Sequence, residues 1–183
     1  LIGISAINSM GVIGGVLQMF NHGIVTAMLF LIVGVIYDRT HTRDMGDFGG
    51  LAKQMPIYTG ITTVAFFAAI GLPGLNIFVG ELFSYIGALQ SFFWVAIIST
   101  TGIVLGAAYM LGGFQRIFFG QLPDKWNTLT DIDKRETIMF VPLIIIIILL
   151  GVYPSIIIDP INSSLNHFVD FVQKAGAGLA ATR

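Results

Sequence analysis

Two ionisable side chains, His22 and Glu81, lie inside long apolar stretches of this sequence. A charge near the centre of a bilayer costs at least ~2.5–3.5 kcal/mol, so such residues face a bundle interior and usually mark an ion or proton path. Histidine gains or loses a proton near neutral pH, and desolvation favours the neutral, protonated form of a glutamate. We therefore take His22 and Glu81 as the candidate catalytic residues of a proton transfer.

Both residues also have structural interpretations. His22 could donate a hydrogen bond to a backbone carbonyl, and Glu81 could serve only as a hydrogen-bond partner for a neighbouring group. No Lys or Arg lies inside a predicted span, so the partner of Glu81 is His22, a backbone group, water or a residue outside this sequence. Six polar residues near the pair could either hydrogen-bond a proton path or only pack between helices: Gln18, Asn21, Thr26, Asn76, Ser84 and Tyr85.

A helix break precedes Glu81, in the stretch GLPGLNIFVGE at residues 71–81. One straight helix over residues 57–88 would be ~48 Å long, whereas the hydrocarbon core of a bilayer is ~30 Å thick. Pro73 removes a backbone donor and clashes with the preceding turn, and Gly71 and Gly74 add backbone freedom. We predict a break at residues 71–74, of the kind that is typical of ion transport sites. An ordinary proline kink is the alternative.

The composition is that of a membrane protein. Hydrophobic residues make up 55% of the chain and charged residues 10%, against about 25% charged residues in soluble domains. The net charge of −1 provides no basic surface for nucleic acid. The sequence has no cysteine, which excludes thiolate metal sites and iron–sulfur ligands, and its three histidines are too scattered for a metal cluster.

Uninterrupted apolar runs predict an all-α, polytopic membrane helix bundle. The predicted spans cover residues 12–37, 57–88, 92–114 and 137–156. Counted from the end of each span that carries no basic loop, Glu81 lies ~12 Å deep and His22 ~15 Å deep. The chain starts at Leu1, and residues 1–7 resemble the last turns of a truncated helix. We interpret residues 1–183 as the C-terminal part of one transporter domain.

A further helix is predicted after the last span. Asp159 and Pro160 suit an N-cap and a first helical residue. Five apolar residues then share one helical face: Ile161, Leu165, Phe168, Val169 and Val172. The pattern fits two arrangements equally well: a helix that lies at the membrane interface, or a helix that docks against a neighbouring protein.

The positions of the basic residues indicate how the chain is oriented in the membrane. Seven of the nine lie in two loops that two spans separate, which places both loops on one side: Arg39, Arg43, Lys53, Arg116, Lys125, Lys134 and Arg135. The positive-inside rule puts these loops in the cytoplasm and the C-terminus outside.

Several motifs together resemble the antiporter-like proton-pumping subunits of respiratory complex I, and most of all their M-type (subunit 4) branch. They are NHG at residues 21–23, YDRTHTRDM at 37–45, GG at 49–50, GLPG…F-x-GE at 71–81 and QRIFFG at 115–120. The resemblance implies a bundle with inverted repeats, in which residues 57–88 form the second broken helix. It implies that His22 lies on a central hydrophilic axis, which Glu81 ends.

The same resemblance implies function and partners. The subunit would translocate protons, coupled to NADH oxidation by quinone elsewhere in the complex. NAD, FMN, iron–sulfur clusters and quinone would bind other subunits, with no cofactor or metal here. Its partners would be the neighbouring membrane subunits and the lipid of a bacterial cytoplasmic membrane.

Two alternatives stay open at this point. A multisubunit cation/proton antiporter or a membrane-bound hydrogenase would carry the same motifs. In a purely structural membrane subunit, His22 and Glu81 would only form hydrogen bonds with neighbouring groups. A membrane-embedded enzyme lacks support, because the sequence shows no convincing nucleophile–base pair or metal-ligand spacing. The HTRD stretch at residues 41–44 favours helix capping and subunit contact over a metal site.

Overall fold

The computed structural model describes the backbone of residues 1–181 and the side chains of residues 1–175. Eight α-helices follow one another, and no strand occurs within residues 1–181. The helices are α1 (Ile2–Ser5), α2 (Ser9–Thr40), α3 (Leu51–Gln54), α4 (Pro56–Ile70), α5 (Asn76–Ser91), α6 (Phe93–Phe118), α7 (Lys134–Val152) and α8 (Ser155–Ala181). The predicted all-α fold class is confirmed.

Within the described residues, three helices are long and apolar enough to cross a membrane: α2, α6 and α7. They correspond to the predicted spans at residues 12–37, 92–114 and 137–156. The predicted span at residues 57–88 is two separate helices, α4 and α5, of 15 and 16 residues. The break is therefore complete, and the alternative of an ordinary proline kink is wrong.

Gly71 is the residue that ends α4. It adopts a left-handed conformation with φ 81°, which a glycine reaches without steric cost. Its N–H donates to the Ala68 carbonyl, and the Leu72 N–H donates to the Phe67 carbonyl. This is the Schellman pattern of a helix C-terminus, after which a proline is common. Pro73 accordingly lies between the two helices and inside neither.

Helix α7 covers the break. A Cβ added at Gly151 of α7 would overlap the carbonyl of Gly74 and the Cα of Leu75. The missing side chain of Gly151 therefore lets α7 lie directly against the broken segment. Backbone groups freed by a break are costly in lipid unless protein or water shields them, and α7 supplies part of that shield.

Helices α2 and α5 form the closest helix pair. A Cβ at Gly14 would overlap the backbone of Ser84, and a Cβ at Gly87 would overlap that of Gly11. Small residues bring membrane helices together in this way. The short helix α1 joins the same contact, because a Cβ at its Gly3 would lie 2.6 Å from the Gly11 carbonyl oxygen.

The two basic loops lie together at one end of the bundle, as predicted. Arg39 donates to both carboxylate oxygens of Glu136, at 2.7 and 2.6 Å, and its Nε donates to the Thr130 carbonyl at 3.1 Å. The Asp131 carboxylate accepts the backbone N–H groups of Ile57 and Tyr58, which caps the start of α4. The loop before α7 therefore ties the ends of α2, α4 and α7.

A second ion pair joins the loops at the surface, between Lys125 and Asp47. The hydrogen bond from Lys125, with a further one from Thr42, lowers the pKa of Asp47. A lowered folded-state pKa gives a stabilising contribution that is present above the ordinary aspartate pKa and is lost as the pH falls through the folded value. Because Asp47 is exposed, solvent screening keeps this contribution small.

Helix α8 begins earlier than predicted. It starts at Ser155, so Asp159 and Pro160 lie inside the helix, and their prediction as N-cap and first helical residue is wrong. Pro154 provides the physical reason: its carbonyl accepts the N–H groups of Ile157 and Ile158, which closes the first turn. Of the predicted apolar face, Val169 is buried but Phe168 is exposed.

Candidate functional site

His22 and Glu81 line one groove, although they belong to different helices. The groove has a volume of about 430 Å³ and runs between α1, α2 and α5. Gln18 and His22 face it from α2, and Glu81, Ser84 and Tyr85 face it from α5. The groove therefore brings together the two candidate catalytic residues and three of the six polar neighbours named from the sequence.

Glu81 points back towards the helix break. A Cβ added at Gly71 would lie only 2.7 Å from Oε2 of Glu81, so the carboxylate packs over the glycine that ends α4. The side chain is half-buried and has no hydrogen bond or ion pair with residues 1–175. The broken segment thus supplies both the room for the carboxylate and its immediate surroundings.

His22 lies at the open edge of the groove and is exposed. Its Nε2 is 3.3 Å from the hydroxyl Oγ1 of Thr26, one turn further along α2. The partner is therefore a side-chain hydroxyl and not the backbone carbonyl that the structural interpretation expected. A hydroxyl can donate or accept, so this contact suits either protonation state of the imidazole.

Glu81 also lines a second, smaller groove of about 180 Å³. This groove lies between the end of α4, at Ala69 and Ile70, and the small residues Gly102 and Gly106 of α6. Glu81 therefore stands between two openings, one shared with His22 and one towards α6. The sequence did not indicate the second groove; the signal that could have found it is the GxxxG spacing of Gly102 and Gly106.

Asn21 and Asn76 form a buried polar clasp between α2 and α5. Asn21 Nδ2 donates to the Asn76 carbonyl at 2.7 Å, and Asn76 Nδ2 donates to Asn21 Oδ1 at 3.2 Å. Both side chains are fully buried. Because Asn21 precedes His22 and Asn76 is the first residue of α5, the clasp fixes His22 relative to the start of the helix that carries Glu81.

The HTRD stretch is a helix terminus and turn. His41 ends α2 in a left-handed conformation, and the Asp44 carboxylate accepts the Gly46 N–H at 2.8 Å. The Arg43 guanidinium lies 4.5 Å from the centre of the Tyr37 ring. Helix capping is thus confirmed, and the part of the chain that the structure describes contains no cluster of His, Asp or Glu that could hold a metal.

Comparison with known proteins agrees with these features. The profile of the family described as "NADH:quinone oxidoreductase/Mrp antiporter, TM" matches residues 1–106, more than half of the chain. The chain belongs to this family. Together with the apolar helices, membership makes the chain an integral membrane protein, and the resemblance inferred from the motifs is confirmed.

One relative of this oxidoreductase/antiporter family is NADH-quinone oxidoreductase subunit M of Rhodobacter capsulatus. It is 45% identical over 168 residues, which are 91% of this chain but 33% of the relative. The chain therefore spans about a third of the length of such relatives.

Two solved structures share the fold. Respiratory complex I from Thermus thermophilus contains a chain with a TM-score of 0.85 and 28% identity, covering 92% of this chain and 36% of that chain. The Mrp complex from Dietzia sp. DQ12-45-1b matches with a TM-score of 0.76 and 20% identity, covering 92% of this chain and 40% of that chain. At that identity, the second match demonstrates the oxidoreductase/antiporter fold alone.

Proposed function

We propose that this chain is the C-terminal part of a proton-translocating membrane subunit of NADH:quinone oxidoreductase. The observation that carries the proposal is the single groove shared by His22 and Glu81 beside a complete helix break. The names of the relatives support the choice of complex, because the 45% identical relative is an NADH-quinone oxidoreductase subunit M.

In this proposal a proton passes from His22 to Glu81 along the groove. The imidazolium loses the proton and becomes neutral, while the Glu81 carboxylate gains it and becomes a carboxylic acid. Glu81 then releases the proton into the second groove, towards α6, and returns to the carboxylate. A group with access to two separate openings is what a directional transfer requires, and Glu81 is positioned between two.

The helix break has a role in the same proposal. Gly71, Pro73 and Gly74 form the hinge that keeps α4 and α5 apart and leaves Glu81 in the second turn of α5. Broken helices of this kind place ion sites near the bilayer midplane. The hinge is the element whose conformation would couple events elsewhere in the complex to the exposure of Glu81.

The partners and location follow from the same proposal. Neighbouring antiporter-like membrane subunits and lipid surround the chain, and residues 1–183 act as part of one transporter domain. NAD, FMN, iron–sulfur clusters and quinone bind other subunits. In a bacterium the protein occupies the cytoplasmic membrane, with the loops that carry Arg39 and Lys125 in the cytoplasm and the C-terminus in the periplasm.

A cation/proton antiporter subunit is the second candidate, because the Mrp complex shares the fold. In such a complex the transport would not depend on NADH. Vesicles that contain the assembled protein would then exchange Na⁺ for protons without NADH oxidation, whereas the first proposal requires NADH-driven proton uptake.

The decisive experiment is Glu81→Gln in the full-length subunit. The amide has nearly the same shape but cannot carry the proton, so NADH oxidation and proton uptake by vesicles fall together, by roughly 10²-fold if transfer through this group is obligatory. Blue-native electrophoresis checks that the complex assembles. Asp159→Asn, which neutralises an exposed carboxylate on α8, serves as the control and leaves both rates unchanged. Wild-type pumping by assembled Glu81→Gln would leave Glu81 with a structural role only.

A further inference from the structure

Gln18 lies on α2 one helical turn before His22, on the face that lines the groove. Its backbone touches α5 at the residue before Glu81. A Cβ at Gly80 would lie 3.0 Å from both N and Cα of Gln18 and would overlap its side-chain Oε1. The glycine therefore allows the Gln18 carbonyl oxygen to lie against the backbone beside Glu81.

The Gln18 Oε1 atom is buried and receives no hydrogen bond from residues 1–175. Among the side chains that the structure describes, only one other buried oxygen or nitrogen lacks a partner, Oδ1 of Asn76. A buried acceptor without a donor is energetically costly. Both atoms belong to the interface between α2 and α5, so the unsatisfied acceptors of the described chain are concentrated next to His22 and Glu81.

Few groups in the groove can donate to this oxygen. The Tyr85 hydroxyl already donates to the Ser99 carbonyl at 3.0 Å. The Ser84 hydroxyl is turned towards α1, where a Cβ at Gly3 would lie 2.8 Å from it. An ionised carboxylate only accepts hydrogen bonds, whereas a carboxylic acid donates one. An imidazole donates from one ring nitrogen when it is neutral and from both as imidazolium.

The titratable side chains that line the groove are His22 on α2 and Glu81 and Tyr85 on α5, and the residues Ile2, Gly3 and Ile4 of α1 add none. Protonation therefore adds a donor that Gln18 can use: the carboxyl O–H of Glu81, which the carboxylate lacks, or the second N–H of His22. The carbonyl oxygen itself neither gains nor loses a proton in this arrangement.

We propose that Gln18 is a positioning residue of the proton path, whose side-chain carbonyl accepts the hydrogen bond of the proton in transit between His22 and Glu81. This inference rests on the proposed function of those two residues. The bond stabilises the protonated intermediate and orients it along the groove. Gly80 contributes to this arrangement, because its missing side chain makes room for Oε1 of Gln18.

Gln18→Met in the full-length subunit tests the role directly. Methionine keeps the length and approximate volume of glutamine but has no carbonyl. NADH-driven proton uptake by vesicles falls roughly three- to tenfold, the effect of one hydrogen bond lost from the transition state. The matched control is Gln90→Met, the same change at an exposed position outside the groove, which pumps like wild type.

The pH dependence separates positioning from packing. The Glu81 carboxyl donates to the Gln18 oxygen only when it is protonated, so the ratio of the Gln18→Met rate to the wild-type rate changes with pH. A packing defect lowers the rate by the same factor at every pH, and that result would overturn the inference. If Gln18→Met fails to assemble, Gln18→Asn is the test, because asparagine keeps the side-chain carbonyl but is shorter by one methylene. A wild-type rate and a wild-type pH profile for Gln18→Asn would also overturn the inference.

Glu81→Gln in the same vesicles distinguishes the two proposals. Pumping lost in Glu81→Gln but intact in Gln18→Met leaves the proposed function standing and removes the role of Gln18. Pumping intact in Glu81→Gln removes the proposed function itself. The double variant Gln18→Met/Glu81→Gln pumps no less than Glu81→Gln alone if both residues serve one path.

Discussion

Gly71 combines two constraints at a single residue. Its φ of 81° lies in the left-handed region, where a side chain is strained. The position that a Cβ would occupy is also 2.7 Å from the Glu81 carboxylate. The same glycine therefore ends α4 and holds the space for the candidate proton carrier.

Replacing Gly71 tests both constraints. Gly71→Ala destabilises the full-length subunit by about 1–2 kcal/mol through backbone strain, and it displaces the Glu81 side chain. We expect a lower midpoint of thermal unfolding in detergent and a loss of proton uptake in vesicles.

Gly60→Ala is the matched control on the same helix. Gly60 lies inside α4 with open space around the position of a Cβ, so the change leaves stability equal or slightly higher. Equal unfolding midpoints and equal proton uptake for the two alanine variants would contradict the role of Gly71.

At the level of elements, the Asn21–Asn76 clasp sets how α5 begins. The N-cap residue of α5, Leu75, provides no side-chain cap. The helix starts at Asn76, whose side chain and backbone carbonyl both form hydrogen bonds with Asn21. The helix that carries Glu81 is thus attached to α2 at its first residue. Further along α5, the contacts of Ser84 with Gly14 and of Gly87 with Gly11 continue the attachment.

A double-mutant cycle measures the clasp. Asn21→Leu or Asn76→Leu leaves a buried polar partner unpaired and costs about 1–3 kcal/mol each. The double variant removes both partners of the hydrogen bond from Asn76 Nδ2 to Asn21 Oδ1, whereas the backbone carbonyl of residue 76 remains. Its loss of unfolding free energy is therefore smaller than the sum of the two single losses. Thermal or denaturant unfolding of the full-length subunit provides the values, and strict additivity would argue against a coupled pair.

The sequence was informative where composition and helix chemistry act locally. It predicted the helix break, because Gly71 and Pro73 have few other uses inside an apolar run, and it identified the polar residues that surround His22 and Glu81. It placed the start of α8 wrongly, because Asp159–Pro160 and Pro154 offer competing start signals. The helix begins at the earlier one, directly after Pro154. The shared groove depends on how α1, α2 and α5 pack, which no local pattern encodes. The second groove also depends on the packing of α4 and α6, for which the spacing of Gly102 and Gly106 is only a partial signal.

Across the whole molecule, the charged network and the candidate proton site occupy separate regions. Arg39 binds Glu136 and the carbonyls of Thr130 and Asp131 at the loop end of the bundle. The groove with His22 and Glu81 is lined instead by α1 and by the parts of α2 and α5 near their glycine contacts. The fold therefore separates a structural ion pair, with both partners less than a fifth exposed, from the groups proposed to carry protons.

This separation predicts different consequences for stability and for transport. Arg39→Met leaves the partly buried Glu136 carboxylate without its cation and the Thr130 carbonyl without its donor, at a cost of roughly 2–4 kcal/mol. Arg39→Lys recovers only part of the lost stability, because an ammonium cannot make the paired contact that a guanidinium makes with a carboxylate. Lys125→Met removes the exposed pair with Asp47 as the control and changes stability little. We expect a lower unfolding midpoint and less assembled complex for Arg39→Met, with unchanged proton uptake per assembled complex. A fall in proton uptake per complex, at normal assembly, would instead place Arg39 on the transport path and connect the two ends of the bundle.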